Sequence, residues 1–100
     1  MTPEGRVKSL INRYLDTLGD DLWRHMPVQS RFGRRTVDYH CCFRGWFFTI
    51  EAKAPGEEPT KAQWHHMGNV EKAGGAAFWI DGPERLEFLK EWIELVDNAT

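Results

Sequence analysis

An α/β fold in the order α-β-β-β-α-β-α is predicted by three features of this 100-residue chain. Apolar residues recur at helical spacing over Val7, Leu10, Ile11, Tyr14, Leu15 and Leu18, and again over Leu86, Leu89, Ile93 and Val96. Between these stretches, residues 36–43 and 46–54 alternate with period two, as strands do. Arg44-Gly45 separates the two runs as a two-residue hairpin turn.

The elements follow in order. Thr2-Pro3 opens the first helix as N-cap and first-turn proline, and Gly19 closes it. Residues 22–28 read as a first strand broken at Pro27, and residues 29–35 as a loop. The hairpin comes next. Residues 55–59, Pro-Gly-Glu-Glu-Pro, form a loop by composition. Thr60 and Gln63 match a capping box, so a second helix runs to about Lys72, where Gly74-Gly75 breaks it. Ala76–Ile80 reads as a short buried strand. Asp81-Gly82-Pro83 starts the last helix.

A turn at Arg44-Gly45 sets the hairpin register. Phe43 faces Trp46, and Asp38 then faces Glu51. Side chains directly across an antiparallel pair lie about 5 Å apart. One hairpin face carries Val37, Tyr39, Cys41 and Phe43 with Trp46, Phe48, Ile50 and Ala52, all apolar and expected in the core. The other carries Thr36, Asp38, His40 and Cys42 with Phe47, Thr49, Glu51 and Lys53. That face is mostly polar. Two carboxylates so close repel unless something compensates them, and a divalent cation does so.

Length and composition bound the class. One hundred residues make one domain. Apolar residues are 41% of the chain, with five Trp and six Phe, enough for a core. No stretch approaches the roughly 20 apolar residues of a membrane span. The N-terminus lacks a signal-peptide pattern, so a soluble, cytoplasmic protein is expected. Cys41 and Cys42 are adjacent and point to opposite strand faces, which offers neither a disulfide framework nor a zinc spacing. The net charge of −2 is not that of a basic nucleic-acid glove. Its distribution is uneven, however. Residues 24–44 hold Arg24, Arg31, Arg34, Arg35 and Arg44 against Asp38 alone, while residues 81–98 are acidic. The basic stretch suits a phosphate backbone or is an ordinary solvated loop.

Phosphodiester hydrolysis needs a cation, an activated water and a stabilised leaving oxygen. Asp38 and Glu51 suit Mg²⁺, and Lys53 lies two residues along the same face to serve the attacking water. The bland reading is a salt-bridged cluster on an exposed sheet. Gln63 is either the capping partner of Thr60 or a site residue near Lys53. Glu4 is favoured by the dipole of the first helix, and it is also placed as a further metal ligand. His40 shares the Asp38 face. His65 and His66 cannot both point inward, and no spacing supports a His/Cys zinc site.

At these residues the chain resembles the PD-(D/E)XK nuclease superfamily, and more narrowly a stand-alone VRR-NUC domain, the virus-type replication-repair nuclease module. The resemblance covers nearly the whole chain. It rests on Glu4, on Gly33 and Asp38, on Glu51-Ala52-Lys53, on Thr60 with Gln63, and on Gly74-Gly75. The family usually has Pro before its Asp, where this chain has Val37, and its Gly-to-Asp interval is shorter.

The resemblance implies a restriction-endonuclease-like mixed central sheet flanked by helices. It implies Mg²⁺ or Mn²⁺ held by Asp38, Glu51 and the backbone carbonyl of Ala52, with Lys53 on the water and Gln63 and Glu4 in support. It further implies a homodimer that resolves Holliday junctions or other branched DNA, and on charge distribution Arg31, Arg34, Arg35 and Lys61 are the expected DNA contacts. Virus-encoded members are expected. The competing expectations are a DNA-binding module of the same fold that does not cut, and a small interaction protein using exposed Trp.

Overall fold

The computed structural model describes residues 1–28 and 37–100. Helix α1 spans Pro3–Asp16. The Thr2 hydroxyl accepts the Gly5 N–H at 3.0 Å, and Pro3 occupies the first turn, where a missing N–H costs nothing. The helix stops before Gly19 rather than at it. Gly19 instead supplies the positive φ, 64°, that begins a 3-10 turn over Gly19–Asp21.

Strand β1 (Leu22–His25) is shorter than expected and ends before Pro27, which has no N–H for a ladder. Strands β2 (Tyr39–Phe43) and β3 (Trp46–Ala52) form the hairpin. Both turn residues have positive φ, 49° at Arg44 and 87° at Gly45, the combination that matches the twist of a tight hairpin. The register is the expected one, from Phe43 opposite Trp46 to Tyr39 opposite Ile50.

Helix α2 (Lys61–Lys72) starts in a complete capping box and leads to β4 (Ala76–Ile80). Helix α3 (Pro83–Ala99) closes the fold. The sheet order is β1-β2-β3-β4. The first two pairings are antiparallel and β3 pairs β4 in parallel, so the sheet is mixed. The parallel pair needs a crossover, and α2 is that crossover.

Helices α1 and α3 cover one sheet face. Val7, Ile11 and Leu15 from α1, and Leu86, Leu89, Ile93 and Val96 from α3, join Tyr39, Cys41, Phe43, Phe48, Ile50, Ala52 and Ile80 in one core. Burying a side chain the size of Leu89 or Ile93 contributes about 1.5–3 kcal/mol. Trp46 departs from expectation. It lies at the hairpin tip and is 47% exposed, because the core does not reach that far.

Helix α2 covers the opposite face over β3 and β4, with Trp64 edge-on to Trp79. This cover explains a second departure. Thr49 and Glu51, on the mostly polar face, are both buried, while Phe47 on that face stays exposed. In β4 itself only Ile80 is fully buried. The join from α2 to β4 is tight. A Cβ on Gly75 would lie 3.0 Å from Val70 Cγ1 and 3.1 Å from Phe47 Cδ1.

Candidate active site

The site lies at the carboxyl end of β3, beside the parallel β4 and the first turn of α2. Open α/β sheets present ligands outside the carboxyl ends of their strands. Asp38 stands one residue before β2, where the ladder with β3 gives out. Its Oδ2 accepts the Ala52 N–H at 2.8 Å. Hydrogen-bonded pairs recur at every second residue of an antiparallel ladder, so this N–H would otherwise seek the main chain beside β2. The carboxylate takes that place and is thereby fixed against the strand end.

Glu51 is 6% exposed and projects from β3 on the α2 side. Its Oε1 accepts from Gln63 Nε2 at 2.9 Å. The orientation of the Gln63 amide follows from its other end. Gln63 Oε1 accepts the Thr60 N–H at 2.8 Å, and Thr60 Oγ1 accepts the Gln63 N–H at 3.2 Å. An N–H needs an acceptor, so the oxygen faces Thr60 and the amino group is left for the carboxylate. Both readings of Gln63 therefore hold at once: one amide caps α2 and holds Glu51.

Burial first, and the neighbouring Asp38 charge second, push the Glu51 carboxyl up to about 8. Lys53 opposes this shift, and a hydrogen bond with Asp38 and the charge of Glu4 add to it. Lys53 follows the last residue of β3, and its N–H donates to Ile80 O at 2.9 Å. That bond ties it to the end of β4.

Glu4 also reaches the site, through a residue that no sequence motif singles out. Lys8 Nζ lies 3.6 Å from Glu4 Oε2 and 3.4 Å from Asp38 Oδ1. The i,i+4 spacing of Glu4 and Lys8 puts both on one face of α1. Nothing in that spacing indicates that the same face meets Asp38. The contact is set by packing, since the buried Tyr39 hydroxyl donates to Lys8 O at 3.3 Å and fastens α1 to β2.

The structure thus brings together Glu4, Asp38, Glu51, Ala52, Lys53 and Gln63, and adds Lys8. Lys61 is exposed in the first turn of α2. Arg31, Arg34, Arg35 and Gly33 lie outside the described residues. Two other arginines of the basic stretch are described. Arg24 is paired with Asp16, and Arg44 is paired with Asp21 at 3.1 Å and Asp97 at 2.5 Å. These two arginines tie elements together and are already compensated.

His40 is half-buried on the Asp38 side of the sheet, with its ring 6.3 Å from those of His25 and Phe47. Burial, then His25 and His66, push it below its ordinary value. Among the described residues, no three His, Cys, Asp or Glu side chains are gathered to hold a metal ion. The donors expected from the sequence are two carboxylates, Asp38 and Glu51, and the main-chain carbonyl of Ala52. That set suits Mg²⁺ or Mn²⁺, which keep several waters, and not a closed zinc site. Comparison with family models, with curated proteins and with solved structures returned no match. No helix of the described residues is long and apolar enough to cross a membrane.

Proposed function

We propose that this protein is a divalent-metal-dependent DNA endonuclease, acting on branched DNA as a homodimer. One observation carries the reading: two carboxyl groups are held side by side at the end of β3, and their proximity, with burial, raises one of them. Asp38 is fixed by the Ala52 N–H, and Glu51 is buried beside it, where burial and the Asp38 charge push its carboxyl up to about 8. A fold does not gather such a pair for stability, because burying a carboxylate beside another costs free energy. Strained electrostatics of this kind cluster at functional sites.

Asp38, Glu51 and the Ala52 carbonyl would hold the cation. When bound, it neutralises phosphate charge and acidifies a water. Gln63 orients Glu51, and the buried wall of β3 and α2 keeps bulk water from that carboxylate. Lys53, at the mouth of the site, is placed to orient the attacking water or to offset charge on the phosphate. The preference for branched DNA and the dimer rest on the resemblance to VRR-NUC domains. Two-fold symmetry supplies two sites for paired nicks.

The test is cleavage of four-way-junction, flap and linear duplex DNA with Mg²⁺, with Mn²⁺ and with EDTA. Metal-dependent cutting, strongest on the junction, is expected. A folded protein that binds these DNAs and cuts none would instead be a DNA-binding module.

A further inference from the structure

We propose that Lys8 is the resident counter-charge of the carboxylate site, contending with the divalent cation for Asp38 Oδ1 and so setting the cation concentration at which the site fills. This rests on the nuclease reading above. The two Asp38 oxygens have different partners. Oδ2 is committed to the Ala52 N–H at 2.8 Å, a bond that lies at the strand end and holds the backbone. Oδ1 is the oxygen that Lys8 attends, at 3.4 Å. On the other carboxylate, Glu51 Oε1 is committed to Gln63. The Asp38 oxygen for which a cation would contend is therefore the one beside the ammonium.

The ammonium is built to yield. Its contacts with Asp38 and Glu4, at 3.4 and 3.6 Å, are long for charge-assisted hydrogen bonds. Its side chain is one-third exposed, on a flexible four-carbon stem, and Glu4 offers a second anchor once Asp38 is taken. The backbone beneath it does not move so readily, because the Tyr39 hydroxyl holds Lys8 O. The charge thus stays near the site, and only its contact changes.

The experiment is a Mg²⁺ titration by calorimetry, with thermal melts in EDTA, on the full chain. Wild type is compared with Lys8→Met, Lys8→Gln and Lys8→Arg. Removing the positive charge is expected to tighten Mg²⁺ binding about tenfold, the scale of one charge contact in a partly exposed site. The same change is expected to lower the melting temperature without metal, since Asp38 and Glu4 lose their partner. Lys8→Arg should stay near wild type on both counts. Lys8→Gln keeps length and polarity, so it serves if Lys8→Met does not fold. A merely structural lysine would lower stability and leave the Mg²⁺ affinity unchanged or weaker. That result would overturn the proposal while leaving the nuclease reading intact. Absence of Mg²⁺ binding by wild type would overturn both.

Discussion

Glu51 is the residue on which the proposed chemistry turns, and the upward shift of its carboxyl has a measurable consequence. Its folded-state value, about 8, lies above the ordinary 4.5. Between these values the folded chain keeps a proton that the unfolded chain has lost. Stability from this group is therefore full below about pH 4.5 and is lost as pH rises towards 8, with a limiting slope of about 1.4 kcal/mol per pH unit. Melts in EDTA from about pH 5.5 to 8 are expected to show the fall, and Glu51→Gln is expected to flatten it. A wild-type profile that rises over this window would contradict the assignment. Cleavage should respond to the same pair. Asp38→Ala and Lys53→Ala are each expected to reduce the rate about 100-fold or more, with circular dichroism unchanged. Full activity in either variant would remove that residue from the reaction.

At the scale of elements, Gln63 joins the second helix to the site. Gln63→Ala removes a helix cap and leaves Glu51 Oε1 without its donor, a loss of about 1–2 kcal/mol measurable by urea unfolding. Gly75→Ala tests the packing of α2 against β3. Its methyl group would press on Val70 and Phe47, and a cost of about 1–3 kcal/mol is expected from overpacking. Much of this level was legible in the sequence. The hairpin register could be read because a slip by one residue would turn Val37, Tyr39 and Cys41 out of the core. The cap of α2 could be read because Thr60 and Gln63 are three residues apart. The burial of Thr49 and Glu51 could not, since alternation along a strand tells which residues share a face but not what covers it. Lys8 escaped for a related reason. Its helix spacing was visible, whereas its approach to Asp38 depends on how α1 packs on the sheet.

For the molecule as a whole, charge is sorted by side. Helix α3 carries Glu84, Glu87, Glu91, Glu94 and Asp97 against Arg85 and Lys90, and it packs on the face away from α2. On the proposed function, a polyanion would be repelled from that side and would meet the site from the α2 side, where Lys61 and Lys72 are exposed. With Arg24 and Arg44 already in ion pairs, DNA affinity should rest on Arg31, Arg34, Arg35 and Lys61. Binding to a four-way junction should weaken as salt rises. Replacing the three loop arginines with Gln should reduce the log–log salt slope by about 0.9 for each phosphate no longer neutralised. An unchanged slope would place the DNA elsewhere. The central claim, however, is that Asp38 and Glu51 together form a cation site, and the most direct measurement is the proton that Glu51 gives up. Mg²⁺ titrations at about pH 7, in buffers of different ionisation enthalpy, count protons released on binding. Release approaching one proton per cation, abolished in Glu51→Gln, is the predicted result. Mg²⁺ binding with no proton released by wild type would contradict it.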